Sequence, residues 1–221
     1  MKKATFFPVN NFVDFKNKLL NWVQPFNIFC LLDNGHYHFD TPAFECLLAA
    51  GCKRKIVTTT GNAFLELKQF NSQEKEWLFG HLSYDLKNET EQLCSLNPDG
   101  INFPDCQFFV PEIVIQLNDK GVTVYSEESG DLIFAAIESS SSSITEMQSV
   151  LLKIKSKISF KDYINIVKKL QQHILRGDCY EINFCQEFFA NNAIIEPLSV
   201  YSSLVTISPN PFCALYKLND R

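Results

Sequence analysis

The 221-residue sequence has no long apolar run, and no stretch approaches the roughly 18–20 residues that a membrane-spanning helix requires. Glycines are few, eight in all, and none form the clustered loop that cradles a phosphate group. Basic residues are in the minority, since 20 lysines and arginines face 25 acidic residues, for a formal net charge of −5. Because nucleic acids and anionic membranes attract a basic face, this balance argues against both as partners.

The cysteines lack the spacing of a metal site. None of the eight belongs to a C-x-x-C pair, and no histidine lies at zinc-ligand spacing from them. Several, such as Cys30 and Cys46, lie in apolar stretches, so reduced, buried thiols are favoured over a disulfide framework. The first residues do not form a convincing signal peptide, because Pro8 and Asn10 interrupt the apolar segment. We therefore expect a cytoplasmic protein.

Apolar residues are abundant, at 46% of the sequence, which is enough to bury a sizeable core. Their spacing predicts a helix over residues 12–23. Short apolar or β-branched runs predict strands at 26–32, 55–60, 77–84, 111–117 and 122–126.

Two turn signals predict hairpins. One is the segment 118–121, between the last two of those strands, and the other is Asn34-Gly35. After Asn34-Gly35 we expect Tyr37 and Phe39 to begin the strand that returns beside residues 26–32.

A run of five serines at residues 139–143 divides the sequence, either as a linker or as a long loop within one domain. We take 1–138 as an amino-terminal region, 139–145 as the serine-rich loop or linker, and 146–221 as the start of a second region. In this second region helical patterns predict helices over 146–157, from Ser159 to Gly177, and from Pro197 to near Ser208.

Two further strands are predicted in the second region. Apolar and polar residues alternate over 179–188, which is typical of a strand with one buried face, and a last strand spans 212–218. The turn dipeptide Asn219-Asp220 follows that strand, and an edge strand normally has a partner. We therefore expect the protein to continue beyond Arg221.

Four segments carry a family resemblance. The sequence R-G-D-C-Y-E-I-N-F-C-Q-E-F (176–188) resembles the G-D-x-[YF]-Q-x-N-x-[SC]-Q-x-F signature of chorismate-binding enzymes. The family's N-P-x-P-[YF] loop is resembled by S-P-N-P-F-C-A (208–214). Its G-[YF]-x-x-Y-D element is resembled by F-G-H-L-S-Y-D-L-K-N-E-T-E (79–91). Its L-L-x-S element is resembled by I-F-C-L-L-D-N (28–34). All four occur in family order. The family includes anthranilate synthase component I and aminodeoxychorismate synthase component I.

The resemblance implies an α/β (α+β) fold, a sandwich of two packed, mostly antiparallel sheets with outer helices. The family's catalytic glutamates and magnesium ligands lie in its carboxy-terminal half, and residues 1–221 match none of those motifs. We therefore assign no catalytic or metal-binding residue here. The family signature maps onto five residues: Gly177, Asp178, Tyr180, Glu181 and Asn183. Among these we expect Asp178 to hold the turn after the helix, and Glu181 stands where the family usually has Gln.

The resemblance also implies a tryptophan pocket in the amino-terminal half. The matching positions are Leu32, Asn34, Phe44, Pro211 and Phe212, with Asn34 in the place of the family's Ser. Aromatic and proline surfaces can enclose an indole ring, and polar groups at strand ends can meet the amino and carboxylate groups.

For the intact protein the resemblance implies conversion of chorismate and ammonia to 4-amino-4-deoxychorismate, a transferase step that supplies p-aminobenzoate for folate. Magnesium is the implied cofactor, and a glutamine amidotransferase subunit that supplies ammonia is the implied partner. Phe212, and the absence of Ser between Pro209 and Pro211, favour this activity over that of anthranilate synthase component I, the nearest alternative. Isochorismate or salicylate synthase comes third. Residues 1–221 alone are expected to be inactive, or to form a non-catalytic module that binds tryptophan or docks the amidotransferase.

Overall fold

The computed structural model describes residues 2–35, 37, 46–91, 93–94, 96–144 and 152–221. The chain forms two compact units: the first contains Met1–Thr145 and Leu198–Arg221, and the second contains Glu146–Pro197. The serine-rich boundary at 139–145 stays a prediction, because residues 145–151 lie outside the described residues.

The first unit holds most of the secondary structure. Its elements, in chain order, are β1 (Lys3–Phe7), α1 (Phe12–Val23), β2 (Ile28–Asp33), β3 (Cys46–Ala50), β4 (Arg54–Thr58), α2 (Ala63–Gln73), β5 (Phe79–Leu82), a 3₁₀ turn (Tyr84–Leu86), α3 (Lys87–Thr90), β6 (Cys106–Val110), β7 (Ile113–Asn118), β8 (Gly121–Ser126) and α4 (Gly130–Glu138). The second unit contains β9 (Lys155–Ser156), α5 (Phe160–Arg176) and β10 (Phe188–Phe189). Helix α6 (Pro197–Ile207) begins at the unit boundary, and β11 (Cys213–Leu218) completes the first unit.

Two antiparallel sheets form the core of the first unit. The larger has six strands in the order β1-β8-β7-β3-β2-β11, and the smaller has three in the order β4-β6-β5. One face of the larger sheet packs against α1, α4 and α6, and buried residues of its other face cluster with Phe79 of β5 and Phe109 of β6. This arrangement confirms the predicted α+β class with antiparallel sheets and outer helices.

The apolar periodicity located several elements correctly. Helix α1 spans the predicted residues 12–23, and Asn11 caps it by accepting a hydrogen bond from the Asp14 amide at 3.1 Å. Strands β7 and β8 form the predicted hairpin, with Asn118 opposite Gly121. No helix among the described residues is long and apolar enough to cross a membrane.

The predicted tight hairpin after β2 was wrong. Strand β2 pairs with β3, with Asp33 opposite Cys46, and not with a strand that begins at Tyr37. Every residue of β3 is buried, so burial of this apolar strand decides the pairing, whereas the Asn34-Gly35 signal is only local. Phe39 lies outside the described residues.

In the second unit one prediction was wrong, and another is contradicted over the part that the structure describes. Of the strand predicted over 179–188, only β10 forms, and it pairs with β9. Tyr180, on the face expected to be buried, is 95% exposed, so no layer of the described residues covers that face. The helix predicted over 146–157 is absent from residues 152–157, which include β9, and its earlier part lies outside the described residues.

Candidate functional site

The side chain of Asp33 lies buried at the end of β2 and joins three elements. Its Oδ2 lies 2.6 Å from Lys16 Nζ of α1, and Tyr201 of α6 donates its hydroxyl to the same oxygen at 2.6 Å. The amide of Gly35 donates to the other oxygen, Oδ1, at 3.2 Å. Lys16, Asp33 and Tyr201 are only 6%, 4% and 7% exposed. One buried carboxylate therefore forms an ion pair with an ammonium group and accepts hydrogen bonds from a hydroxyl and an amide, where little water can reach.

This buried group has clear electrostatic consequences. Burial, and next the hydrogen bond to Asp33, raise the pKa of Tyr201, so its hydroxyl stays protonated and acts as a donor. A buried ion pair costs desolvation energy when it forms, but removal of one partner leaves an uncompensated charge and is strongly destabilising. Asp33 thus fixes the end of β2 against α1 and α6.

The turn after β2 lies in close contact with the loop before β11. Gly35 has φ +58°, a conformation that favours glycine, and a Cβ atom there would lie 2.6 Å from Asn210 O and 2.9 Å from Cys213 Sγ. The thiol of Cys213 donates to Asn210 O at 3.0 Å, and Asn210 Oδ1 accepts from the Phe212 amide at 2.8 Å. Gly35 is therefore required both by its backbone angle and by this close approach.

Strand pairing brings the L-L-x-S element beside the N-P-x-P-[YF] loop. In the antiparallel register of β2 and β11, Leu32 lies opposite Ala214 and Asp33 lies opposite Cys213. Since side chains alternate along a strand, Asp33 faces the helices and Leu32 lies on the opposite face, as Ile28 and Cys30 do. The two elements, nearly 180 residues apart in the sequence, thus share one edge of the first unit.

Four of the five predicted tryptophan-pocket residues are described, and all four belong to this edge. Leu32 is 36% exposed, Pro211 is half-buried, and Phe212 is 84% exposed. Asn34 donates from Nδ2 to Tyr37 O at 3.3 Å. Phe44 lies outside the described residues. Leu32 and Phe212 therefore provide accessible apolar surface at the end of β2, and tryptophan binding stays a prediction.

Two polar side chains between the sheets were not singled out as ligand-binding by sequence reasoning. The ring of His81 lies 5.6 Å from that of Tyr216 and 5.4 Å from that of Phe103, measured between centroids. His81 Nδ1 and Tyr216 Oη are buried and have no hydrogen-bond partner among the described residues. Burial raises the pKa of Tyr216. Tyr216 lies opposite Cys30, so it shares the sheet face of Leu32, and both atoms are available to bond a ligand or water between the sheets.

The family signature begins at the end of α5 in the second unit. Gly177, with φ +83°, ends the helix, and the Asp178 amide donates to His173 O at 3.0 Å. Arg176 Nη2 donates to Asp178 Oδ2 at 2.8 Å, and His173 Nδ1 lies 2.7 Å from the same oxygen. Asp178 thus contacts both Arg176 and His173 across the helix end. The His173 contact was missed, although a left-handed Gly cap brings residues five apart together and could have indicated it.

The other signature residues make no comparable site. Tyr180 is 95% exposed, and Glu181 and Asn183 are exposed as well, all in a segment without regular secondary structure. No group of three or more His, Cys, Asp or Glu side chains in the described parts of the chain is placed to hold a metal ion. The described residues therefore do not fit a magnesium site.

The G-[YF]-x-x-Y-D element has an identifiable packing role. A Cβ atom on Gly80 of β5 would lie 2.0 Å from Gln107 O and 2.7 Å from Phe108 Cα of β6. No side chain fits there without separation of the two strands. The glycine of this element is therefore required by the close approach of β5 to β6.

Glu89, in the same segment, caps a helix from a distance. Its Oε1 accepts hydrogen bonds from the amides of Gly61 and Ala63, at 2.6 and 2.8 Å, at the start of α2. The bond from Ala63 is the main cause that lowers the pKa of Glu89. Asn62, at the N-cap position itself, makes no side-chain cap hydrogen bond. A carboxylate supplied from α3 thus satisfies the first amides of α2.

The sequence matches the family described as chorismate binding enzyme over residues 29–221. These residues contain the paired L-L-x-S and N-P-x-P-[YF] elements, the Gly80 strand and the Gly177 cap. The chain belongs to this family of chorismate-binding enzymes.

Two relatives are similar over about two thirds of the chain. Anthranilate synthase component 1 of Buchnera aphidicola subsp. Pemphigus spyrothecae is 27% identical over an alignment of 162 residues that covers 66% of this chain and 31% of the relative. Anthranilate synthase component 1 of Thermus thermophilus is 22% identical over an alignment of 152 residues that covers 64% of this chain and 33% of the relative. The matches thus span about a third of each relative's length.

Proposed function

We propose that this chain is part of an aminodeoxychorismate synthase component I, which replaces the ring hydroxyl of chorismate with an amino group to give 4-amino-4-deoxychorismate. Membership of the chorismate-binding family is the observation that carries this proposal. Within the family, the loop around Asn210 and Phe212 favours this activity, because Phe replaces the Tyr, and Asn the Ser, of the anthranilate synthase version.

Anthranilate synthase component I is the second candidate. A specific observation favours it, since both relatives described above carry that name. The two reactions share chorismate and ammonia as substrates and differ in whether pyruvate is eliminated. The difference in product therefore provides the test.

The proposed partner is a glutamine amidotransferase subunit that supplies ammonia. The proposed cofactor is magnesium, held by residues other than the described ones, because these offer no group of carboxylates that fits it. Residues 1–221 supply the two-sheet framework and the turn that Asp33 fixes.

The deciding experiment uses the complete gene product with chorismate, ammonium and magnesium, followed by chromatography with and without added aminodeoxychorismate lyase. Formation of p-aminobenzoate only after the lyase is added supports the first proposal. Direct formation of anthranilate supports the second candidate and rejects the first. Absence of both products would reject both. Residues 1–221 alone are expected to give neither product.

Tryptophan is the proposed ligand of the edge formed by Leu32, Asn34 and Phe212. An exposed aromatic ring beside an apolar strand end suits an indole, and backbone groups at the strand ends suit the amino acid moiety. Calorimetry should detect tryptophan binding at millimolar concentration or below, and Phe212→Ala should weaken it. Phe6→Ala is the matched control, because Phe6 is also exposed but lies on β1 at the other edge of the larger sheet. Equal binding by both variants, or none by the unaltered chain, would reject this ligand.

A further inference from the structure

A separate cavity opens at the β8 side of the sandwich in the first unit. The smaller sheet packs against β2, β3, β7 and β11, and the buried residues between the two sheets form one apolar cluster. Tyr125 of β8 is only partly buried against this cluster. A space of about 230 Å³ lies there, lined by Lys2, Lys75, Glu76, Trp77, Val114 and Tyr125. Leu32 and Phe212 are not among its lining residues, so it differs from the edge proposed for tryptophan.

The apolar part of this cavity is aromatic. Trp77 is 50% exposed, and its ring centroid lies 5.9 Å from that of Tyr125, with the planes tilted by 35°. Val114, which is 2% exposed, contributes to the lining from β7. Two rings at this tilt present flat and edge surfaces that suit another planar ring. The volume is below the roughly 300–1,000 Å³ of pockets for drug-sized ligands, so a single-ring ligand fits best.

The charged part of the cavity has an excess of cations. The Lys2 ammonium donates to Pro111 O at 2.6 Å, and burial lowers its pKa, so an anion beside it would stabilise the charged form. Lys75 is exposed and makes no hydrogen bond or ion pair with the residues that the structure describes. The one carboxylate of the lining, Glu76, lies 3.8 Å from Arg54 Nε.

The neighbouring surface offsets that excess only in part, because Glu76 and Glu127 attract the Lys2 ammonium group while Lys53 repels it. An adjoining cavity of about 590 Å³ shares Lys75 and Glu76, but its other charges are matched. Lys53 lies 2.7 Å from Glu127, and Arg54 lies within ion-pair distance of both Glu74 and Glu76. The ammonium groups of Lys2 and Lys75 are thus the cations that a ligand's negative group would meet.

We propose that this cavity binds a small aromatic carboxylate. The ring lies against Trp77 and Tyr125, and the carboxylate accepts hydrogen bonds from the Lys2 and Lys75 ammonium groups. The inference depends on neither candidate activity, since it uses only the shape, aromatic lining and charge of this cavity.

Benzoate is the probe, and Trp77 is the reporter. The chain has two tryptophans, and Trp22→Phe leaves Trp77 as the only one. Titration with benzoate should change the Trp77 emission with saturation in the millimolar range or below. Benzylamine, which has the opposite charge on the same ring, should produce no saturable change. A response to benzylamine equal to that for benzoate would overturn the proposal.

Lysine variants test the charge assignment in the same Trp22→Phe background. Lys75→Ala should weaken benzoate binding about tenfold through loss of a charge-assisted hydrogen bond, and Lys75→Arg should retain most of it. Lys120→Ala is the matched control, because it removes the same charge from the exposed β7–β8 turn. Lys75 is exposed, so its substitution should leave the thermal midpoint unchanged. Equal affinities for Lys75→Ala and Lys120→Ala, or no saturable benzoate signal at all, would reject the site.

Discussion

Helices α1 and α5 have the same local design but different surroundings. Both are amphipathic, and each begins at a polar side chain, Asn11 or Ser159, that accepts a hydrogen bond from the amide three residues on. Five of the 12 residues of α1 are buried, whereas none of the 17 residues of α5 is. Periodicity and capping therefore predict that a helix forms, but burial also depends on a layer that covers it.

The comparison indicates where the stability of each unit originates. In the first unit α1 contributes Phe15 and Leu19 to a large apolar cluster and Lys16 to the buried ion pair with Asp33. In the second unit α5 has the Ser159 cap and the Gly177 turn at its ends and no buried residue, and its Tyr163 ring lies 5.3 Å from that of Phe184 between centroids. We therefore expect substitutions to have large effects in the first unit and small effects in α5.

Asp33→Asn should have the largest effect. It keeps the side-chain shape but leaves the Lys16 ammonium buried without its counter-charge, which should lower the free energy of unfolding by about 3–5 kcal/mol. Urea unfolding of residues 1–221, followed by circular dichroism, measures this change. Lys16→Met in combination with Asp33→Asn should recover part of the loss.

The control for this substitution is Asp119→Asn. Asp119 is exposed in the turn between β7 and β8, so the same chemical change should stay within about 0.5 kcal/mol. If the two aspartate variants unfold at the same urea concentration, the Lys16–Asp33 pair does not stabilise the first unit.

Gly35→Ala should have the next largest effect. The new Cβ atom would require φ near +58° and would meet Asn210 O and Cys213 Sγ, so we expect a loss of about 1–3 kcal/mol. Gly100→Ala is the control, because a Cβ atom there has nothing within 4 Å. The same urea experiment applies, and a Gly35→Ala loss no greater than that of Gly100→Ala would contradict the close packing of the turn against the loop.

Local signals in the sequence predicted the elements that depend on local interactions. The periodicity of residues 12–23, the helix signals from Ser159 to Gly177 and the turn at 118–121 are each local, and each was confirmed. The strand predicted at 179–188 failed because alternation indicates a strand only where another layer covers one face.

The site depends on partners that are distant in the sequence. Tyr201 donates to Asp33 across 168 positions, and no spacing rule relates them. The family resemblance brought Leu32 and Phe212 into one prediction, but the Lys16–Asp33 pair and the contact between Gly35 and Asn210 required the tertiary structure. Pairing of β2 with β11 brings Leu32 and Gly35 beside the loop of Asn210 and Phe212, whereas packing of α1 on the larger sheet brings Lys16 to Asp33.

Ser159→Ala should have a moderate effect on α5. Loss of the hydrogen bond from the Asp162 amide should cost about 1 kcal/mol of local helix stability. Hydrogen exchange of the amides in the first turns of α5 should become about fivefold faster, while exchange in α1 stays unchanged. Ser159→Asp should restore protection, because aspartate is an equally good cap. Unchanged exchange in Ser159→Ala would show that α5 is held by something other than its cap.

Leu175→Ala should have the smallest effect, and it tests the comparison between the two helices directly. Leu175 of α5 is 79% exposed, so its truncation should change the free energy of unfolding by no more than about 0.5 kcal/mol. Leu19→Ala removes the same atoms from α1, where the side chain is fully buried, and should cost about 2–5 kcal/mol. Both variants introduce the same strong helix former, so helix propensity cannot account for the difference. Equal losses in urea unfolding would mean that α5 is covered as well as α1, and that the contrast between them is wrong.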